Sequence, residues 1–183
     1  MFPEIKTTLY HGTVSEIMSV DVNAGRSRKD FGKGFYMAVT QKQAIGMMHK
    51  KYREAVRRSA NKNTAAFREY LYEIELDPQI LGNLSIKIFQ NADIEWLDFI
   101  LMCRYKGGMP HDYDMVIGAT ADDDTALCLK VYEEGAYGEK GSIQAKRILL
   151  QNLEVENLGI QYYIGKQEVA DTVIKSIREI DWR

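Results

Sequence analysis

Three short stretches hold residue types that could do chemistry together: "LYHGT" (residues 9–13), "DFGKGFY" (30–36) and "IQYYIG" (160–165). The first sets His11 beside Gly12 at the end of a strand-like run. The second places Gly32 and Gly34 around Lys33 and then adds Phe35 and Tyr36. Bare backbone and aromatic faces meet there, which suits a ligand lying flat against the chain. The third puts Gln161 ahead of two tyrosines. Taken one at a time, each has a plainer explanation. His11 fits a half-buried edge residue, "DFGKGFY" a turn feeding a core strand, and Gln161 a polar residue on the outer face of a strand.

The elements around these stretches follow from periodicity. "KTTLYHG" reads as a strand stopping at Gly12, "TVSEIMS" as a short helix, and "VDVNAGRSRKDFGKG" as a glycine-punctuated loop. "GFYMAV" is strand-like, and Thr40 with Gln43 forms a capping box for a helix whose inner face is Ala44, Met48, Tyr52 and Ala55. "EYLYEIELD" alternates, with Tyr70, Tyr72, Ile74 and Leu76 on one side. "NLSIKIF" and "DMVIGA" read as strands. Asn91 is placed to cap a helix carrying Trp96, Leu97, Ile100 and Leu101, and "TADDD" to cap one carrying Ala126, Leu127, Leu129 and Val131. The loop "EEGAYGEKGS" leads to the helix "IQAKRILLQ". "GIQYYIG" is a strand, and the chain ends in an amphipathic helix bearing Val169, Val173 and Ile177. Strands and helices mix without a regular βαβ alternation, so the expected class is α+β, as one domain over 1–183.

Composition removes several classes. A net charge of −2 gives no prior for nucleic acid or an anionic membrane. The basic cluster Lys50, Lys51, Arg53, Arg57 and Arg58 reads as a solvated helix face. Cys103 and Cys128 sit in apolar helical patterns and read as two buried free thiols. His11, His49 and His111 lack metal-ligand spacing, so no metal is expected. "GKGFY" is not a dinucleotide-binding fingerprint, and no Walker A, GxSxG or HExxH sequence occurs. No stretch is apolar for long enough to span a bilayer, and no leader pattern is seen, so a cytoplasmic location is the default expectation.

In this order, "LYHGT", "GRSRKDFGKGFYM" and "IQYYIGKQEVA" resemble the ADP-ribosyltransferase superfamily. The closer resemblance is to a bacterial branch of uncharacterised domains on its diphtheria-toxin and poly(ADP-ribose) polymerase side, where the signature is His, Tyr and Glu. "WLDFILMCR" and "YDMVIGATADD" also resemble segments of that branch, so the likeness runs from about Thr8 to Val173. "DFGKGFY" is its most specific block.

The resemblance implies a fold of two small packed β-sheets with flanking helices and NAD as co-substrate in the cleft between them. It implies that His11 donates a hydrogen bond to the adenine-side ribose. The backbone of Gly12 would clamp the nicotinamide carboxamide, and Tyr36 would stack on its ring. Thr13, Gly32, Gly34 and Phe35 are implied to line the cofactor, and Arg26 to meet the phosphates, with Arg28 and Lys33 as competitors. Gln161 stands where many members carry the glutamate. An amide accepts a hydrogen bond but carries no charge and cannot act as a base, which argues against chain elongation and for transfer of a single ADP-ribose. His11, Tyr36 and Gln161 are thus the implied catalytic set; Glu154, Glu156 and Glu168 lie nearby in sequence but match no signature position.

The implied activity is NAD-dependent transfer of a pentosyl group to a macromolecule with release of nicotinamide. Small bacterial members look like toxins of toxin–antitoxin pairs, which implies a macromolecular acceptor and a small antitoxin protein as partners. An NAD glycohydrolase, a non-catalytic module binding NAD, an ADP-ribosyl group or a partner protein, and a ligand-free structural domain are the alternatives. Tyr137, in "EEGAYGEKGS", is a candidate acceptor contact or part of a disordered surface loop. Asp122 and Asp123 read as helix-capping or site-lining residues.

Overall fold

The computed structural model describes residues 5–59, 64–121, 123–153 and 158–183. Its centre is one mixed sheet of seven strands in the order β4-β5-β6-β2-β1-β3-β7. These are β1 (Thr8–Thr13), β2 (Phe35–Ala38), β3 (Tyr70–Leu76), β4 (Ile86–Ile88), β5 (Met115–Ala119), β6 (Ile160–Ile164) and β7 (Ile174–Ile180). β4 and β5 run parallel; every other pair is antiparallel.

Helix α1 (Gln41–Arg58) begins where Thr40 Oγ1 accepts the Gln43 N–H at 3.2 Å, satisfying one orphan donor of the first turn. Ala44 and Met48 then bury against Ala38 and Leu71. Gly12 is what lets α1 settle so close: a Cβ there would collide with the Ala44 carbonyl oxygen. On the same sheet face, α3 (Ile94–Lys106), α4 (Asp123–Glu133) and α5 (Ile143–Asn152) bury Trp96, Leu97, Ile100, Leu129 and Leu149 around Val116 and Tyr163. The opposite face packs Leu9, Phe35, Met37, Ile74 and Ile164 against α2 (Pro78–Leu81) and α6 (Gln167–Val173). No helix among the described residues is long and apolar enough to cross a membrane.

Several expectations change. The two packed sheets are replaced by one, but with a weak seam. β1 and β2 share a single residue pair, Tyr10 with Ala38, against six pairs between β1 and β3. The final helix stops at Val173, and Ile177 lies on β7 opposite Ile74. Apolar residues at 174, 177 and 180 imitate a helical stripe; pairing to β3 and the cross-strand ion pair of Arg178 with Glu73 decide for strand. "TVSEIMS" is not helical, and the Ile17 N–H goes instead to the Tyr72 hydroxyl at 2.9 Å. Asp93, not Asn91, caps α3 through the Trp96 N–H. Leu127 is exposed and Cys128 only partly buried, whereas Cys103 is buried and both thiols are free. Tyr137 is partly buried and packs on the α3–α5 core. Asp122, Glu154 and Glu156 lie outside the described residues.

Candidate functional site

The site forms at the seam. Where the β1–β2 ladder stops, the His11 side chain takes over: its Nδ1–H donates to the Tyr36 carbonyl at 2.6 Å. The ring stacks on Phe35 with centroids 4.6 Å apart. Phe35 is therefore buried behind the histidine and does not itself line an opening. With Nδ1 carrying the proton, Nε2 is an acceptor and lies 3.4 Å from the Lys51 ammonium. Burial, then the charge of Lys51, pushes His11 down to about 3. The imidazole is neutral at ordinary pH, with its N–H spent on the Tyr36 carbonyl and Nε2 facing the Lys51 ammonium.

Lys51 also donates to the Gly12 carbonyl at 2.8 Å. Burial, then repulsion by Lys29 and Arg26, brings its ammonium down to about 8. Lys29 in turn holds its ammonium 5.1 Å from the centroid of the Tyr36 ring, a contact that shows this face attracting a cation. Burial lowers Lys29 as well, against the opposing pull of Asp30. Arg26, the implied phosphate ligand, is exposed and sits 3.4 Å from Glu54 on α1. Three cations thus crowd the His11–Tyr36 side, and the basic face of α1 is not wholly solvated. Position 51 follows Ala44 and Met48 at i+7 and i+3, so its inward placement was readable from helical spacing.

The Tyr36 hydroxyl is locked. It accepts the Phe31 N–H at 3.0 Å and donates to the Gly32 carbonyl at 2.7 Å. Burial raises its pKa well above the ordinary phenol value, so it offers a ring face and no acid–base group. β2 and β6 pair Tyr36 with Tyr163 and Ala38 with Gln161. Opposed residues share a sheet face, so Gln161 stands on the same face as Tyr36.

The loop between them is pinned by "DF". Phe31 is fully buried among Phe89, Phe99, Tyr36 and Tyr163, over Gly118, where a Cβ would press on it. Asp30 is buried and takes Arg104 Nη2 at 2.6 Å, the Ala121 N–H at 2.9 Å and Gln161 Nε2 at 2.9 Å. Gly32 has φ of 99°, and a Cβ there would strike Gly108; one on Gly34 would strike β6. These two glycines, like Gly12, are crowded from inside the protein, so packing alone already requires them. Thr13 is buried, and its hydroxyl accepts the Ser15 N–H at 3.2 Å. Arg28 is exposed, and the Lys33 N–H is spent on Gly108. Glu168 is exposed on α6.

The structure thus sets His11 and Tyr36 across the seam from one another, Gly12 beside His11, and Gln161 on β6, beyond β2, on the Tyr36 face. It adds four residues that the sequence reading did not select: Asp30, Lys29, Lys51 and Arg104. Asp30 opens the most specific sequence block, which was its available signal. Arg104 and Gln161 stand 74 and 131 residues from it, and nothing local links them.

What fold and seam define is a mixed α and β domain whose single seven-stranded sheet is opened by a histidine side chain. The chain belongs to the family described as a protein of unknown function, DUF3990, whose model matches residues 7–174. That span holds every residue of the seam. No curated protein and no solved structure matches the chain.

Proposed function

We propose that this chain is an NAD-dependent mono-ADP-ribosyltransferase with an ADP-ribosyltransferase-like fold, acting on a macromolecule with release of nicotinamide. The observation that carries the reading is the convergence at one seam of a neutral His11, a locked Tyr36 ring that already attracts a cation, and the crowded cations Lys29, Lys51 and Arg26. The groups suit the parts of NAD: an aromatic face for the cationic nicotinamide, cations for the diphosphate, and an acceptor at Gln161 Oε1 for a ribose hydroxyl. Bound NAD would supply a nicotinamide leaving group and an oxocarbenium-like sugar.

The protein's own contribution is then positioning. Tyr36 cannot swing, because its hydroxyl is held at both lone pair and proton. His11 cannot turn, because Phe35 and the Tyr36 carbonyl fix its ring. Gln161 cannot deprotonate an incoming nucleophile. That last fact favours one second reading, an NAD glycohydrolase in which water captures the sugar cation without an activating base.

Labelled NAD incubated with the protein and a cell lysate tests both. Transfer of label to macromolecules supports the transferase; free ADP-ribose without labelled macromolecule supports the glycohydrolase. If His11→Ala and Tyr36→Ala behave as wild type, or no nicotinamide is released, both readings fail. The toxin role and the antitoxin partner rest on the resemblance, and growth arrest on expression that His11→Ala relieves would support them.

A further inference from the structure

Resting on that reading for its catalytic part, we infer that Asp30 is the positioning residue of the site: it fixes the Gln161 amide so that Oε1 alone faces a substrate hydroxyl, and so makes glutamine the residue this site requires. The bond pattern carries the inference. Asp30 Oδ1 accepts from Arg104 Nε at 3.1 Å and Nη2 at 2.6 Å. Its Oδ2 accepts from the Ala121 N–H and from Gln161 Nε2, both at 2.9 Å. The second amide hydrogen of Gln161 goes to the Ala119 carbonyl at 3.3 Å.

All four acceptor positions of the carboxylate and both amide hydrogens are therefore used. Turning the amide over would set Oε1 against a carboxylate and a carbonyl, so the orientation is fixed by its partners. Oε1 makes no hydrogen bond among the described residues and belongs to a side chain on the Tyr36 face of the sheet. Arg104 gives Nε and Nη2 to the other oxygen of Asp30, and Nη2 also lies 3.5 Å from the Ala121 carbonyl.

A glutamate at 161 would therefore place negative oxygen against negative oxygen in a buried setting. The counterintuitive consequence is that installing the glutamate of the wider superfamily damages this protein. A double-mutant cycle of Gln161→Glu, Asp30→Asn and the pair tests it, read by thermal unfolding at pH 7.5 and by nicotinamide release. Gln161→Glu is expected to lower the unfolding midpoint by about 6–12 °C, and adding Asp30→Asn to recover at least half of that. In kinetics, each single variant is expected to lose at least about tenfold in kcat with KM for NAD little changed, and the pair to recover part of the loss.

Additive effects on the midpoint overturn the inference whether or not the protein turns over NAD. Coupled midpoints with a kcat for the pair no better than the product of the singles leave Asp30 a merely structural partner and overturn its positioning role. Coupled midpoints in a wild type that releases no nicotinamide refute the catalytic part together with the transferase reading, while the fixed amide stands on the stability data.

Discussion

The two flanks of the seam are built on opposite principles. On the Gln161 side, charge is internally matched: Asp30 and Arg104 neutralise each other, and each oxygen of Asp30 holds two donors. On the His11 side, charge is left unmatched. Lys51 and Lys29 press on each other and on His11; Asp30, the carboxylate that pulls hardest on Lys29, is shared with Arg104, and Glu54 is drawn off by Arg26 and Arg58. A satisfied network is architecture. A cluster of like charges that lowers its own pKa values suits an anion. Under the proposed function, one flank would hold the reacting geometry still and the other would supply the attraction.

That contrast is broken most forcefully at Arg104. Arg104→Met leaves Asp30 buried without its cation and is expected to cost about 3–5 kcal/mol in urea unfolding. A cost under about 1 kcal/mol would make the network ordinary surface pairing. On the other flank, Lys51→Met is expected to change stability little but to weaken ADP-ribose binding about tenfold by calorimetry, roughly 1.4 kcal/mol. Lys51 loses its proton as pH rises through about 8. Wild-type affinity for ADP-ribose should therefore fall between pH 7 and 9, and the Lys51→Met profile should stay flat there.

The effect confined to acid pH lies at His11. Its folded pKa is about 3 against an ordinary 6.5, so the unfolded chain binds the extra proton between those values. Stability from this group is intact above about 6.5 and is lost as pH falls towards 3, at up to about 1.4 kcal/mol per pH unit. His11→Asn, which can still donate to the Tyr36 carbonyl, should flatten the wild-type slope in that window. An unchanged slope would place the imidazole in water.

Much of the fold was legible because local signals agreed. β3 alternates, Thr40 caps α1, and "IQYYI" is a strand. What misled was local imitation of another period. Ile174, Ile177 and Ile180 repeat every third residue, yet long-range pairing to β3 makes them strand. The candidate site was legible where a short motif marks it, as "LYHGT" marks His11 and "DFGKGFY" marks Tyr36. It was illegible where the meaning lies in a distant partner. Lys51 shows its inward side of α1 by spacing, but not its partners His11 and Gly12 on β1. Gln161 reads as a bare departure from glutamate until Asp30 is seen to hold its amide. At Gly12, Gly32 and Gly34 the crowding neighbours are likewise distant in sequence: helix α1, the Gly108 loop and β6.

The central claim is that the seam cleaves NAD between ribose and nicotinamide. Nicotinamide released from labelled NAD, compared among wild type, His11→Ala and Tyr36→Ala with folding checked for each, tests it most directly. The account predicts release by wild type and a loss of at least about a hundredfold in both folded variants. Release at the wild-type rate by either folded variant, or none by wild type, would contradict it.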